Sequence, residues 1–361
     1  MFKYDQLRSV HIEITSRCQA ACPMCARNVH SGLENPSLVL ADWSLDDFKK
    51  IFPVELIQQL DHILFCGNLG DPMINDDLID MCRYSRDANP NVSIHIHTNG
   101  GARKTSWWVE LAESLPKIHN VFFAIDGLED THSLYRVNTD YNTVVRNAKS
   151  FIEAGGNATW VFLKFAHNEH QVEEAQSRAK EFGFSKFSMK STVRFVGEPR
   201  FAVYDKDGNT KYYLEPPSDS KMNYTSNEVV LNFKNIVAQS TISCYAQHSK
   251  EVYIDAYKRV GPCCYMGAIP TIQYRADDIT SSVRTEMRQQ HHSLFSSLGN
   301  TNALEKSIKE IVESDEYQTV WNDLWDGPNK LIICARTCGK IEKNQIAQPK
   351  DQFIKITQLD K

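Results

Sequence analysis

The chain has 361 residues, enough for one large domain or two of ordinary size around a buried core. An apolar fraction of 42% and a charged fraction of 24% are typical of a soluble globular protein, and the net charge of -5 argues against non-specific binding to nucleic acid. No apolar run reaches the ~18–20 residues of a membrane span, and residues 1–10 lack an apolar signal segment. We therefore expect a cytoplasmic protein with neither a nucleic-acid nor a membrane partner.

The first half of the chain alternates short strand-like runs with helical patterns. Six strands are predicted at residues 10–15, 62–67, 92–98, 120–126, 158–165 and 187–194. Helices with one apolar face are predicted at residues 142–154 and 168–182, and each is followed by a glycine that can end it. Repeated β–α units predict an α/β fold, here a partial (β/α)6 TIM-like barrel whose chemistry gathers at the carboxyl ends of its parallel strands.

This alternation breaks at about residue 200, where turn signals and polar residues dominate. We divide the chain into a barrel domain over residues 1–199, a connecting segment over residues 200–243 that covers the barrel mouth, and a small C-terminal domain over residues 244–361. The C-terminal region carries a predicted short strand at residues 251–254 and a predicted helical stretch at residues 303–325.

Ten cysteines are many for a cytosolic protein of this size, and they fall mainly into two groups. Because disulfides are rare in a reducing compartment, clustered cysteines indicate metal binding or catalysis. Cys18, Cys22 and Cys25 follow the first predicted strand with the spacing C-x3-C-x2-C. Three thiolates can hold three irons of a [4Fe–4S] cluster and leave the fourth iron open to a ligand. A zinc site is the alternative, with His30 as the nearest additional ligand, although its spacing is not that of a zinc ribbon.

Residues 13–25 resemble the opening of the radical S-adenosylmethionine (SAM) superfamily, and the supporting motifs follow in that family's order. Residues 67–72, with the sequence GNLGDP, resemble the glycine-rich segment that contacts the SAM amino group in that family. Residues 126–136 resemble a later family motif, and Thr98 and Asn99 close the third predicted strand as they often do in relatives. The resemblance covers about residues 10–194.

The resemblance implies that SAM binds the open iron of the first cluster. The residues implied to bind this cofactor are Met24, Gly67, Asn68, Gly70, Asp71, Thr98, Asn99, Asp126, Arg136, Lys164, Asn168 and Arg194. Met24 stands where many relatives carry an aromatic residue, and Asp71 stands where glutamate is usual. Lys164 and Arg194 are expected to form a positive lining for the SAM carboxylate or for an anionic substrate, and a solvated strand end is the alternative interpretation.

The second cysteine group resembles the auxiliary-cluster domain of radical SAM enzymes, in the shorter version called twitch rather than the full SPASM version. Its members are Cys244, Cys263, Cys264, Cys334 and Cys338. The resemblance implies that Cys244, Cys263, Cys334 and Cys338 hold a second, auxiliary [4Fe–4S] cluster. Cys264 could replace Cys263 or be a free thiol, and Lys258 stands where relatives usually place a glycine. A structural zinc site and unliganded buried cysteines are the alternatives.

We predict a radical SAM enzyme that reductively cleaves SAM to a 5′-deoxyadenosyl radical, which abstracts a hydrogen atom from a substrate C–H bond. The expected outcome is oxidation or bond formation on a small molecule or a peptide. A reductant such as flavodoxin or ferredoxin is the expected protein partner. Because the first strand begins near residue 10, we expect no N-terminal leader-peptide-binding domain, which argues against leader-guided peptide modification.

A radical epimerase is the first alternative, because a cysteine thiol can return a hydrogen atom to the substrate carbon. Cys66 and Cys264 are the candidate donors, and an inert buried thiol is the other interpretation of Cys66. The alternatives from other classes are a non-radical iron–sulfur electron-transfer protein and a zinc-stabilised binding module. Within the barrel, Glu13 is expected to point inward, whereas His95 and His97 are interpreted as core histidines.

Overall fold

A nine-stranded sheet organises the fold of this chain. The computed structural model describes residues 1–29, 33–36, 38–192, 195, 200–205, 207–218, 233–267, 281–327, 330–340 and 354–359. The strands of the sheet are β1 (Ser9–Ile12), β2 (His62–Phe65), β3 (Ser93–Thr98), β4 (His119–Ala124), β5 (Ala158–Lys164), β6 (Lys186–Ser191), β7 (Glu251–Ile254), β8 (Val260–Gly261) and β9 (Ile354–Gln358). Neighbouring strands follow the order β8-β7-β1-β2-β3-β4-β5-β6-β9.

Strands β1 to β6 lie side by side in chain order and run parallel, as repeated β–α units require. Strand β7 is parallel to β1, whereas β8 and β9 are antiparallel to β7 and β6. Within the described ranges β8 and β9 are the two edges of the sheet and do not pair with each other, so the barrel is open. The predicted α/β class and partial (β/α)6 barrel are therefore confirmed, with strand ends that differ by a few residues.

Alternation along the strands sorts polar from apolar side chains. In β3, Ile94 and Ile96 are buried in the main core between the sheet and the helices. His95 and His97 point to the opposite face, and the His97 ring stacks on Phe122 of β4 at 4.3 Å. The interior of the barrel is consequently polar, which suits a binding site better than a packed core.

The sheet is surrounded by helices. They are α1 (Leu45–Ile51), α2 (Val54–Gln59), α3 (Leu78–Ala88), α4 (Thr105–Ser114), α5 (His132–Tyr135), α6 (Tyr141–Glu153), α7 (Val172–Glu181), α8 (Phe233–Gln239), α9 (Tyr245–Ser249), α10 (Cys264–Gly267), α11 (Ser281–Ser297), α12 (Ile308–Val312), α13 (Asp315–Asp326) and α14 (Ile332–Cys338). Short 3₁₀ turns cover Tyr4–Gln6, Pro72–Ile74 and Glu169–Gln171. None of the helices in the described ranges has the length and hydropathy that crossing a membrane requires.

Helix ends follow local chemistry. Helix α6, predicted at residues 142–154, starts where the Asp140 carboxylate accepts a hydrogen bond from the Thr143 N–H at 2.8 Å, and Gly155 follows it at φ +92°. The stretch predicted at residues 303–325 forms two helices, α12 and α13, instead of one. Ser314 explains the break, because its hydroxyl accepts a hydrogen bond from the Tyr317 N–H at 3.2 Å and so caps α13.

Three short antiparallel strand pairs lie outside the main sheet. They are Asn28–Val29 with Leu33–Glu34, Phe201–Tyr204 with Thr210–Leu214, and Thr241–Ile242 with Gly339–Lys340. The second pair belongs to the predicted connecting segment, and its Val203 and Leu214 share an apolar cluster with Cys22 and Met24. The C-terminal region contributes β7, β8 and β9 to the barrel sheet, and the division at residues 199 and 243 stays a prediction.

Candidate functional site

The first cysteine group lies in the loop that leaves the carboxyl end of β1. Cys22 is buried, and Cys18 and Cys25 are partly exposed. Each of the three thiols meets a polar atom from a different segment of the chain. The contacts are Asn99 Nδ2 to Cys18 Sγ at 3.6 Å, Arg136 Nη1 to Cys22 Sγ at 3.7 Å, and the Cys25 thiol to the Asn68 carbonyl at 4.0 Å. The structure thus brings together three segments that the sequence singled out separately.

Asp71 organises the end of β3. Its buried carboxylate accepts hydrogen bonds from the Thr98 hydroxyl at 2.8 Å and from the Met73 N–H at 3.2 Å. It also accepts from both the backbone and the side-chain nitrogen of Asn99, at 2.7 and 2.6 Å. Burial raises the pKa of Asp71, and these donors oppose the rise. Asp71 therefore aims the Asn99 amide at Cys18.

The buried Asp126 and the partly exposed Arg136 form an ion pair beside Cys22. Arg136 Nε donates to Asp126 Oδ2 at 2.6 Å, and the Leu163 N–H donates to the other carboxylate oxygen at 2.6 Å. The Asn168 side chain donates to the Asp126 and Leu163 carbonyls at 3.3 and 3.0 Å. Burial raises the pKa of the Cys22 thiol to about 11, and the Arg136 charge acts in the opposite direction. The Arg136 guanidinium therefore favours the thiolate form of Cys22, against the effect of burial.

The glycines of residues 67–72 are required by close backbone packing. A Cβ on Gly70 would lie 2.0 Å from the Thr15 carbonyl oxygen, and a Cβ on Gly67 would lie 2.2 Å from the Gly70 carbonyl oxygen. The loop can therefore rest directly on the backbone that follows β1. This packing holds Asn68 in place, and Asn68 Nδ2 donates to Glu13 Oε1 at 2.7 Å.

Titratable side chains line the barrel interior next to this loop. Glu13 is almost fully buried, points inward as predicted, and accepts a hydrogen bond from the Tyr253 hydroxyl of β7. Burial raises the pKa of Glu13 to about 7, although the hydrogen bonds that it accepts oppose the rise. Burial, followed by the Glu13 charge, raises the pKa of the Cys66 thiol to about 12, while Lys190 acts in the opposite direction. Burial and then Lys190 lower the pKa of His97 to about 3, which keeps its imidazole neutral.

Three further predicted cofactor residues occupy different surroundings. Met24 is buried in an apolar cluster with Tyr135 and Phe165, so apolar side chains surround the position that is aromatic in many relatives. Lys164 is buried at the end of β5. Arg194 lies outside the described residues, as does His30.

The second cysteine group lies around a cavity in the C-terminal region. The four cysteines predicted as ligands line it together, and its other walls are mostly apolar. The lining residues are Ile242, Cys244, Pro262, Cys263, Tyr265, Met266, Trp321, Trp325, Ile333, Cys334, Thr337 and Cys338. We call this space the cysteine cavity.

Local structure explains how distant cysteines meet there. Cys334 and Cys338 lie four residues apart in α14 and so share a face of the helix. The pairing of Thr241–Ile242 with Gly339–Lys340 brings Cys244 close to Cys338, and the Ser243 N–H donates to the Cys338 carbonyl at 3.1 Å. The sequence predicted this grouping from spacing and resemblance, without the strand pair that produces it.

Cys264 occupies a different position from its neighbour Cys263. Cys263 lines the cysteine cavity, whereas Cys264 is not among the lining residues. The Cys264 carbonyl instead accepts a hydrogen bond from the Asn68 amide at 3.0 Å. The Asn68 carbonyl also accepts a hydrogen bond from the Cys25 thiol. Asn68 therefore links the first cysteine loop to the second cysteine group.

The thiols of the two cysteine groups suit iron–sulfur clusters. In the described part of the chain, no three His, Cys, Asp or Glu side chains are grouped so that they could hold a single metal ion. The cysteines of a cubane bind different irons, so they need not converge on one point. The first group offers three thiols, of which Cys22 contacts Arg136, and the cysteine cavity is lined by four more. Deprotonated thiols are the soft ligands that such clusters use.

Two features of the site were not predicted from the sequence. The first is the contact of Glu13 with Tyr253, which joins strands that are far apart in the chain but adjacent in the sheet. The second is the aromatic wall of the cysteine cavity, formed by Trp321 and Trp325. Their spacing of four residues within a predicted helix was the available signal for a shared face.

Comparison with known proteins supports the fold. No family model matches this sequence, and no curated protein matches it. Streptococcus suis SuiB bound to its precursor peptide SuiA superposes with a TM-score of 0.54 at 14% identity, over 90% of this chain and 70% of that one. The structure of anSMEcpe with bound AdoMet superposes with a TM-score of 0.53 at 13% identity, over 95% of this chain and 90% of that one. At this identity the likeness establishes a shared partial-barrel fold.

Proposed function

We propose that this chain is a radical SAM enzyme with a [4Fe–4S] cluster on Cys18, Cys22 and Cys25. The observation that carries this proposal is the convergence of Asn99, Arg136 and the Asn68 carbonyl on these three thiols. The fold shared with anSMEcpe, whose structure contains AdoMet, supports it. When bound, the cluster would supply the electron that cleaves SAM to methionine and a 5′-deoxyadenosyl radical.

The chain's own residues would bind and shield these groups. Arg136 would offset the negative charge of the thiolate at Cys22, and Asp71 would keep the Asn99 amide directed at Cys18. Gly70 would let the loop rest on the backbone that follows β1, where a side chain would collide, and so keep the loop in position for SAM. We assign the other SAM contacts to Met24, Gly67, Asn68, Thr98, Asp126, Lys164, Asn168 and Arg194.

We assign a second [4Fe–4S] cluster to Cys244, Cys263, Cys334 and Cys338, in a twitch-like C-terminal domain. The cysteine cavity supports this assignment, because it is lined by these four cysteines and by mostly apolar residues. Four cysteine ligands leave no iron open for substrate, so this cluster would transfer electrons.

The proposed outcome is net oxidation or bond formation on a peptide or a small molecule. The SuiA peptide bound to SuiB, which has the same fold, favours a peptide. Net oxidation would remove a hydrogen atom from the substrate to the 5′-deoxyadenosyl radical, and then one electron to the second cluster and one proton to solvent. The first cluster would be reduced by a flavodoxin or ferredoxin, in the cytoplasm.

Cleavage of SAM tests the radical assignment. Anaerobically reconstituted protein with a strong reductant and SAM should release 5′-deoxyadenosine and methionine slowly, even without substrate. Cys22→Ala should abolish the release, because it removes one of the three thiolates. Cys82→Ala, which changes a buried thiol in α3 that belongs to neither group, is the matched control and should retain it. Unchanged cleavage in Cys22→Ala would place the radical chemistry elsewhere.

Radical epimerisation is the second candidate, favoured by the position of Cys66. Its thiol lies inside the barrel near Glu13 and Lys190, where a substrate radical would form. In deuterated water an epimerase would place solvent deuterium on the product carbon, whereas an oxidase would give a product lighter by two hydrogens. Deuterium uptake that is lost in Cys66→Ala but not in Cys264→Ala would establish epimerisation.

A further inference from the structure

Helix α13 presents a stripe of three buried aromatic residues. Tyr317, Trp321 and Trp325 are spaced four residues apart, which places them on one face of the helix. Their exposed fractions are 1%, 0% and 7%. Consecutive ring centroids lie 5.7 and 5.6 Å apart, so the stripe is continuous. We call it the donor stripe, because each residue carries one N–H or O–H group.

The polar atoms of the donor stripe have no hydrogen-bond partner within the described residues. This holds for the Tyr317 hydroxyl and for both indole nitrogens. Buried polar groups are almost always paired, and leaving a donor unsatisfied is costly. By contrast, the indole N–H groups of Trp108 and Trp160 donate to backbone carbonyls at 3.1 and 2.8 Å. Three unpaired donors on one face of α13 therefore lack an acceptor among the described residues of the chain.

The cysteine cavity lies where that acceptor is needed. Trp321 and Trp325 line the cavity directly. Tyr317 is not among the lining residues, but it lies one helical turn from Trp321 on the same face of α13, and the two ring centroids are 5.7 Å apart. Trp325 lines the cavity together with Cys334, yet its indole N–H does not reach hydrogen-bond geometry with any described residue. Two residues of the donor stripe thus form part of the cavity wall, and the third continues the same face of α13.

We infer that Tyr317, Trp321 and Trp325 donate hydrogen bonds to sulfur atoms of the cluster bound in the cysteine cavity and raise its reduction potential. The inference rests on the second cluster of the proposed function. A reduced cluster carries one more negative charge than the oxidised cluster, so donors directed at its sulfurs stabilise the reduced form more. The three residues act through the cluster and are positioning residues, since they are not expected to touch the substrate.

Potentiometry of the reconstituted full chain tests this inference. The second cluster is the one whose EPR signal does not change when SAM is added. At the wild-type midpoint potential, Tyr317→Phe should lower the ratio of reduced to oxidised cluster. The triple variant with phenylalanine at positions 317, 321 and 325 should lower it on the order of tenfold, which is 59 mV for a one-electron couple. Tyr84→Phe, whose hydroxyl already donates to the Phe52 carbonyl at 3.1 Å, is the control and should leave it unchanged.

A second readout separates hydrogen bonding from packing. Electron–nuclear double resonance of the reduced wild-type cluster should detect exchangeable protons that disappear in deuterated water, and part of this coupling should be lost in Tyr317→Phe. If Tyr317→Phe loads both clusters but leaves the potential and the coupling unchanged, the inference is wrong while the proposed function stands. If the wild-type chain binds only one cluster, the second-cluster assignment fails instead.

Discussion

Replacing Glu13 with glutamine is expected to remove a pH dependence from the stability of this chain. Glu13 lies inside the barrel, where Asn68 Nδ2, the Tyr253 hydroxyl and the Leu69 N–H donate to its carboxylate. Burial outweighs these donors and raises its pKa from 4.5 to about 7. The charge of Asp255 also raises it, and Asp255 is present in both the wild-type chain and the variant.

The sign follows from proton binding. Between pH 4.5 and about 7 the folded chain holds a proton on Glu13 that the unfolded chain has lost. The contribution of Glu13 to stability is therefore fully present below pH 4.5 and is lost as the pH rises to about 7. The difference between the two pKa values corresponds to about 3 kcal/mol in the free energy of unfolding. Glutamine does not titrate, so the free energy of unfolding of Glu13→Gln lacks this pH-dependent contribution.

Urea unfolding of the cluster-free protein, followed by tryptophan fluorescence at pH 4.5 and pH 8, measures the effect. The free energy of unfolding of Glu13→Gln minus that of the wild type should increase by about 3 kcal/mol from the lower to the higher pH. Buried histidines such as His97 and His132, whose pKa values burial lowers to about 3, contribute equally to both proteins and cancel. A difference that is the same at both pH values would refute the assigned environment of Glu13.

Four further variants and one control test the surroundings of the first cysteine group. Gly70→Ala should destabilise the loop and weaken SAM binding in equilibrium dialysis, because its Cβ would lie 2.0 Å from a carbonyl oxygen. Gly261→Ala is the control and should be tolerated, because the nearest atom to its Cβ would lie at 3.6 Å. Arg136→Leu should cost about 3–5 kcal/mol in urea unfolding because it leaves the buried Asp126 carboxylate unpaired. Asp126→Asn should cost less, since it leaves no buried negative charge. Asp71→Asn should lower stability by about 1–3 kcal/mol, because its amide group would face donors that now bind a carboxylate oxygen, and circular dichroism on heating would detect the loss.

Strand periodicity was enough to predict the barrel. The alternation of apolar and polar residues in β2 and β3 is local, and each of these strands pairs with its neighbour in the chain. Strand β7 was predicted at its observed position, but its parallel pairing with β1 was not, because periodicity carries no information on distant partners. Lys258 shows another limit of prediction from the sequence. It adopts a φ of +66° at the position where the resemblance leads one to expect glycine. Its ammonium group lies 3.1 Å from the Asp47 carboxylate.

The sequence likewise predicted the local features of the candidate site but not its distant contacts. The cysteine spacings identified both groups and separated the first from the second, since spacing is a property of the sequence itself. The atoms that contact each thiol could not be predicted in the same way, because Asn68, Asn99 and Arg136 come from three loops that meet only in the folded barrel. The predicted roles of the individual residues toward SAM and the clusters remain to be tested.

Iron content is the most direct test of the central claim that two separate cysteine groups hold two clusters. Anaerobically reconstituted wild-type protein should bind about eight irons and eight sulfides per chain, the content of two cubanes. Replacing Cys18, Cys22 and Cys25 together with alanine should leave about four of each and abolish SAM cleavage. Stoichiometric zinc without iron–sulfur absorption in the wild type, or full iron content in the triple variant, would contradict the account.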